Sequence, residues 1–315
     1  MAKPPINPPT ISDLGGETRQ IRRLVNKENN SWSAFNPSIA YSDEDGYLCL
    51  IRSANFYYDN LGQISLTTEN RIRNKTYIAR LDSEFSITKL TQVNFIDGPE
   101  QKRGVEDARL FQRNGYWLFH VVMREEHTPH PRICIYQLDI HSGTAVFVEK
   151  YESEEYQTVE KNWMTTSRYK NDNFEFIYNT EIIVKRDGSL AKIVNQEGNI
   201  KNLRGGSSLL ELSGGNYLAV AHYCYHVSVK GFSPTRFGHV DGSIRKYTHV
   251  FVIFNDNGQL THISNEFVFD KLQIEFACGI ETYGDKFVIS YGVQDLTSNL
   301  AFIDQAEVFK TLKPI

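Results

Sequence analysis

Cysteine, methionine and tryptophan are all scarce in this 315-residue sequence, with four, three and three residues. Cys49, Cys134, Cys224 and Cys278 are widely spaced and form no CxxC pair. Buried free thiols therefore fit better than a disulfide framework or a zinc site. No apolar run approaches the roughly 18 residues of a membrane span, so none is expected. The N-terminus has Pro4, Pro5, Pro8 and Pro9 but no apolar core. It does not fit a signal peptide, and a cytoplasmic protein is expected. Excess positive charge is missing too. A formal net charge of -4 gives no reason to expect nucleic acid or an anionic membrane as a partner. His127 and His130 flank Pro129 without the helical HExxH spacing, so no metal site is expected. Gly205-Gly206 is too short for a nucleotide-phosphate loop and opens no helix. Helical periodicity is sustained nowhere.

What the chain has in quantity is strand-forming sequence. It is 40% hydrophobic, with 17 Tyr and 19 Phe. Residues 1–30 hold the prolines and a basic cluster of Arg19, Arg22, Arg23 and Lys27, which suggests a tail or an arm on the surface. From Phe35 a pattern starts: strand Phe35–Tyr41, turn Asp43–Gly46, strand Tyr47–Arg52, then runs at Lys75–Leu81 and Thr88–Phe95. It recurs from Val105, with its turn at Arg113–Gly115 and strands Tyr116–Met123, Arg132–Leu138 and Thr144–Lys150. It recurs again from Asn162, with a turn at Lys170–Asn173 and strands Phe174–Tyr178 and Glu181–Arg186. A further copy starts at Gly206, with its turn at Ser213–Asn216. The last starts at Phe276, with its turn at Tyr283–Asp285. Five such copies predict an all-β, five-bladed β-propeller over residues 31–315, with 1–30 as the arm. A β-sandwich is the competing architecture, but it does not explain polar residues at matching places in each copy.

Those polar residues precede or enter each first strand: Asn36, Glu106 with Asp107, Lys161 with Asn162, Arg204, and Glu275. A second set ends or follows the second strands: Arg52 with Asn55, His120 with Arg124, Asn179, His222, and Asp295. The innermost strands of a propeller line its channel, so residues from distant blades converge there. Strand alternation puts Glu106 and Asp107 on opposite faces, leaving one of them for the channel, with Arg109 on the Asp107 side. Glycosyl transfer needs a proton donor and stabilisation of a cationic sugar. A water-activating hydrolase needs a second carboxylate, for which Glu275 and Asp295 are candidates. A phosphorylase needs cations instead, and Arg52, Arg73, Lys161, Arg204, Arg245, His222 and His249 supply them. Simpler readings compete. Asp107 with Arg109 could form an internal ion pair, Arg52 could end a strand in solvent, Trp163 could be blade core, and His222 could be a satisfied structural histidine.

Gly-Val-Glu-Asp-Ala-Arg at 104–109, Lys-Asn-Trp at 161–163, Gly-Gly-Ser at 205–207 and Tyr-Gly-x-x-Asp at 291–295 resemble glycoside hydrolase family 130. Asn-Pro-Ser-Ile-Ala, Arg-Gly-Gly-Ser, Ile-Glu-Phe-Ala and Ile-Ser-Tyr-Gly-Val-x-Asp further resemble propeller proteins found near or fused to glycosyltransferases. The resemblance spans about residues 35–305, at the level of motifs. It implies a five-bladed propeller and an inverting phosphorylase or hydrolase acting on β-mannosides, with related β-1,2-mannosyltransferases on the same scaffold. Asp107 matches the family's general acid, which protonates the glycosidic oxygen through the sugar's 3-hydroxyl. Ala108 departs from the usual proline there. The resemblance makes Asn36, Arg52, Asn55, Glu106, Arg109, Lys161, Asn162, Glu275 and Asp295 candidate substrate-binding residues. Lys161, Arg204, His222, Arg245 and His249 are candidates for phosphate. No cofactor is expected beyond inorganic phosphate or a sugar phosphate as co-substrate. The expected partner is an oligosaccharide or sugar phosphate, and a homo-oligomer is compatible with the sequence. The alternatives are a nucleotide-sugar-dependent glycosyltransferase and a non-catalytic glycan-binding propeller.

Overall fold

The computed structural model describes residues 3–21, 32–58, 64–67, 71–99, 103–124, 131–151, 161–166, 176–178, 182–184, 190–192, 202–228 and 243–315. Arg22, Arg23, Lys27, His127, His130, Asn179 and the Lys170–Asn173 turn lie outside these residues.

The chain forms a β-propeller. Blade I consists of Ser33–Ser42, Gly46–Ala54, Asn74–Leu81 and Ile87–Gln92, all antiparallel. Blade II consists of Glu106–Arg113, Tyr116–Met123, Arg132–Asp139 and Thr144–Tyr151, with Asn94–Ile96 added in parallel at its outer edge. Blade III consists of Leu210–Glu211, Tyr217–Ser228, Ser243–Phe254 and Leu260–Ile263. Blade IV consists of Glu275–Tyr283, Lys286–Val293 and Thr297–Asp304. The expected blade boundaries differ little from these, because each tight turn carries its own backbone signal. Asn114 and Gly115, for example, have φ of 52° and 79°. Positive φ at both central residues suits a hairpin turn whose twist matches the strands it joins.

The expectation of five equivalent blades is corrected to four. The copy beginning at Asn162 does not form a sheet of the same kind. Among the described residues, Met164–Thr165, Phe176–Tyr178, Ile182–Val184 and Leu190–Lys192 make a separate four-stranded sheet. This sheet sits between blades II and III. Trp163 packs with Phe111, Val122 and Tyr151 on the blade II side. Met164 and Ile177 pack with Ala219 and Val250 of blade III.

The core is distributed between the sheets. Leu48, Leu50 and Ile78 of blade I meet Leu110, Phe119 and Tyr136 of blade II. Ile39, Cys49 and Ile51 meet Val288, Leu300 and Phe302 of blade IV on the other side. Blades III and IV share a third cluster. Cys49, Cys134 and Cys278 are buried and all four cysteines are free thiols.

Both ends of the chain are tied into the ring. Glu17–Gln20 pairs antiparallel with Phe302 to Asn299 and completes blade IV as its outer strand. Upstream, the Ile11 N–H donates to the Val268 carbonyl of the loop preceding blade IV (2.8 Å). The Ile11 side chain is fully buried among Phe267, Phe269 and Val308. A short helix, Gln305–Thr311, follows blade IV, and Lys313–Pro314 then adds to the edge of blade III. Ile11→Ala is expected to cost about 2–5 kcal/mol of unfolding free energy, the range for truncating a buried Ile. Urea denaturation measures this. A loss under about 0.5 kcal/mol would mean that the arm does not contribute to the folded core.

Candidate active site

One cavity of about 340 Å³ opens where the inner strands begin. Local backbone strain builds it. Asn36, Asp107, Asn162 and Asp295 all line the cavity and all have left-handed backbone, with φ of 49°, 49°, 62° and 53°. Asp and Asn tolerate this region better than other side-chain-bearing residues. In blade I the ladder register shifts between Phe35 and Ser38, which brackets Asn36. In blade II it shifts between His120, paired with Arg109, and Val122, paired with Glu106, which brackets Asp107. These are β-bulges, and a bulge re-aims the side chain that it carries. Glu106 and Asp107 therefore both reach the cavity wall. The expectation that alternation admits only one of them fails at the bulge.

The carboxylate wall is organised by Arg52. Its Nη1 donates to Asp107 Oδ1 (2.9 Å) and its Nε to Asn74 Oδ1 (2.9 Å). Its Nη2 lies 3.8 Å from Glu106 Oε1, and the guanidinium stacks over the Phe35 ring at 5.0 Å. Arg52 is thus a buried cation at the cavity, not a strand end in solvent. Asn36 Nδ2 donates to the same Asp107 oxygen (2.8 Å). Burial alone would push the Asp107 carboxyl up. Arg52, Arg109 and the hydrogen bonds from Asn36 and Arg52 outweigh it and hold the carboxyl below the usual carboxylate range. Arg124 Nε lies 3.4 Å from Glu106 Oε1. Asp295 behaves in the opposite way. Burial raises it to about 7, with Arg52 opposing and the neighbouring Asp107 and Glu106 carboxylates adding to the rise.

Lys161, Arg204, Arg245 and Tyr247 also line the cavity. Burial depresses the Lys161 ammonium; Glu106 and Asp107 oppose this, while Arg245 and Arg124 add to it. The lining as a whole holds six Arg and Lys side chains against three carboxyls, an excess of positive charge that suits an anion. Arg103, Phe56, Ile72, Ile274 and Phe276 complete the lining; none of them was in the candidate set. In the sequence Arg124 stands out only as a polar residue at the end of a strand, and nothing there singles out Tyr247. Neither residue carries a motif.

Five expected residues are not in the wall. Arg109 is fully buried beneath it. Its Nε donates to the Gly206 carbonyl (2.9 Å) and its Nη1 to the Asp107 backbone carbonyl (2.6 Å), and it lies over the Phe276 ring. It fixes the bulge, and it does not pair with the Asp107 carboxylate through a hydrogen bond. Asn55 clamps a loop by donating to the Arg71 carbonyl (3.0 Å) and accepting the Arg73 N–H (2.7 Å). Glu275 accepts N–H groups from Phe269, Asp270 and Lys271 and the Gln273 side-chain amide. Burial raises its carboxyl in spite of these donors. His222 and His249 lie below the cavity, with His222 stacked near Tyr247 and Phe276. Burial drives His222 well below the usual imidazole range and His249 to about 3. Both are neutral at pH 7, so neither is the cation expected for phosphate. Trp163, at 1% exposure, is core. Among the described residues no cluster of His, Cys, Asp and Glu is arranged to hold a metal ion.

The fold is shared with glycoside hydrolase family 130-type propellers. A β-1,2-mannobiose phosphorylase from Listeria innocua, solved with β-1,2-mannobiose, superposes with a TM-score of 0.59 at 14% identity, over 90% of this chain and 93% of that one. A GDP-Man-dependent mannosyltransferase from Leishmania mexicana gives 0.55 at 12% identity, over 91% and 89%. A mannose phosphorylase from the same organism, solved with a phosphate ion, gives 0.50 at 12% identity, over 94% and 91%. No family model matches the chain, and no curated protein matches it in sequence. The structural neighbours are carbohydrate-active enzymes, and this chain has their architecture.

The Arg52–Asp107 pair sets a pH-dependent stability. Because the folded-state carboxyl of Asp107 lies below its unfolded value, it stabilises the fold above about pH 4. That contribution is lost as pH falls through the folded-state value. Arg52→Gln is therefore expected to destabilise the protein at pH 7 by about 3 kcal/mol, as for a broken buried pair. The gap from wild type should narrow as pH is lowered from 7 towards 3. Thermal melts across that range check it; a constant gap would remove Asp107 from the account.

Proposed function

We propose that this cavity transfers a glycosyl group to phosphate, as an inverting phosphorylase acting on β-mannosides, or runs in reverse from mannose 1-phosphate. One observation carries the reading: three carboxyl side chains, Glu106, Asp107 and Asp295, and six Arg and Lys side chains line one cavity. A sugar with developing positive charge suits Asp107 and Glu106. An anionic nucleophile suits Lys161, Arg204 and Arg245, which can donate several hydrogen bonds to one phosphate. Asp107, matched to the family's general acid, is placed at the glycosidic oxygen. Asn36 and Asn162 are left to hold the sugar's hydroxyls. The aromatic and apolar contributions of Phe56 and Phe276 suit a sugar face.

Phosphorolysis is preferred to hydrolysis because of the bases available. Hydrolysis with inversion needs an unprotonated carboxylate free to activate water. Glu275 is occupied by four donors away from the cavity, and Asp295, raised to about 7, is only about half ionised at neutral pH. Phosphate arrives already ionised and needs no base. A cytoplasmic enzyme without an organic cofactor is the cellular form of this reading.

The neighbour that uses GDP-Man supports a second reading, in which the cavity's cations hold the diphosphate of a nucleotide sugar. Incubation with β-mannobioses and phosphate, and with mannose 1-phosphate plus mannose, separates the two. The expected outcome is phosphate-dependent formation of sugar 1-phosphate, lost by more than about 10²-fold in Asp107→Asn, in line with removal of a general acid. Lys161→Ala and Arg245→Ala should raise the KM for phosphate more than that for the sugar. Turnover of GDP-mannose but not mannose 1-phosphate would favour the second reading. No turnover with either donor would reject both.

A further inference from the structure

The Asp107 carboxyl is poorly placed to hold a proton of its own. Its Oδ1 accepts from both Asn36 and Arg52, at 2.8 and 2.9 Å, and Arg109 adds positive charge beneath it. Glu106 faces Arg52 and Arg124 at 3.8 and 3.4 Å. Asp295 is the third carboxyl in the cavity wall. Among the described residues its side chain receives no hydrogen bond and forms no ion pair, although it lies in the field of the other two carboxylates. Three carboxyls in one small cavity do not all stay ionised when only two have cationic partners at contact distance. The remaining groups facing Asp295 are Arg52, Lys161, Tyr247 and the Cys278 thiol. The two cations favour its ionised form, but neither is within ion-pair distance of it.

We propose that Asp295 is a further catalytic carboxyl, which in the resting protein holds the single proton that the reaction hands to the leaving oxygen. The proposal rests on the phosphorylase reading. As hydrogen phosphate attacks, a bond forms between its oxygen and the anomeric carbon, and the bond from that carbon to the glycosidic oxygen breaks. The bonding pair stays on the leaving oxygen, which takes a proton delivered at Asp107. Asp295 supplies that proton through a sugar hydroxyl or a water lying between them, and Asp107 passes it on, so that it gains no net proton. The proton carried in by hydrogen phosphate then returns to Asp295, and both carboxyls end as they began. Asp107 and Asp295 thus work as a pair with one proton, resting on the member that lacks a guanidinium partner. The left-handed backbone at 295 accepts Asn, so Asp295→Asn keeps the fold and the shape while removing the acid.

The test has two arms, one of them independent of turnover. The first is the infrared carboxylic-acid band at pH 6, compared among wild type, Asp295→Asn and Asp107→Asn. Loss of a component in Asp295→Asn and its retention in Asp107→Asn are expected; Glu275 contributes equally to all three and cancels. A component that survives Asp295→Asn and disappears in Asp107→Asn would overturn the proposal. The second arm compares leaving groups. Asp295→Asn should lower kcat on a β-mannobiose by about 10²–10⁴-fold. It should keep activity within about tenfold on 4-nitrophenyl β-mannoside, whose leaving group needs no proton. Equal losses on both substrates, expressed in KM, would make Asp295 a sugar-binding residue and overturn its acid role. If wild type turns over neither substrate, the phosphorylase reading fails. The infrared arm then still decides where the proton resides.

Discussion

Arg52 belongs to blade I, yet its strongest partner is a carboxylate of blade II. That ion pair runs from the second strand of blade I to the first strand of blade II, and the cavity is arranged around it. The guanidinium is held from behind by the Phe35 ring and at its edge by Asn74, so it keeps one orientation. Asp107 is held by Arg52 on one side and by Asn36 on the other, both from blade I. A buried pair of this kind adds little net stability, since desolvation offsets attraction, but each partner becomes costly without the other. Its consequence here is positional. It fixes which carboxyl is ionised and so decides by default which one is not.

The architecture was legible because it depends on local signals repeated many times. Alternating apolar strands and Gly- or Asn-containing turns mark most hairpins, and the observed bounds of Tyr116–Met123 are those read from the sequence. The fifth copy, expected after Asn162, is not among the four blades that the described residues form. The site was legible in part. Asn36, Arg52, Glu106, Asp107, Lys161, Asn162, Arg204, Arg245 and Asp295 were all anticipated, and the cavity brings them together. The failures share a cause. Arg109, Glu275, His222 and His249 sit close in sequence to cavity residues, but strand geometry turns them inward. The sequence alone does not show where a bulge resets alternation, so it could not place Glu106 beside Asp107.

Depth below the cavity explains the division between charged and neutral polar groups. The wall residues face space that a solvated ligand can occupy, and there Arg52 and Asp107 remain charged. One layer down, His120, His222 and His249 are essentially without exposure, and burial suppresses their protonation. A cationic imidazole there would need a carboxylate partner to offset its desolvation. The layer therefore serves as a neutral packing base, with His222 against Tyr247 and Phe276, both of which do reach the cavity.

The same close packing ends the cavity. At the contact between the inner strands of blades I and IV, a Cβ on Gly279 would lie 2.6 Å from the Ile39 amide nitrogen. Backbone there approaches backbone with no room for a side chain. Nearer the cavity, a Cβ on Gly292 would fall 2.1 Å from Asn36 Oδ1, and one on Gly205 would fall 2.0 Å from the Asn162 carbonyl. Glycine at these positions lets neighbouring sheets close on Asn36 and Asn162 from behind, which leaves those side chains nowhere to retreat. Their left-handed backbones, stabilised by no ladder of their own, are held in place by this contact. The glycines that permit close approach and the strained Asp and Asn residues are therefore two parts of one device. The first brings neighbouring backbones together, and the second turns the polar groups into the cavity.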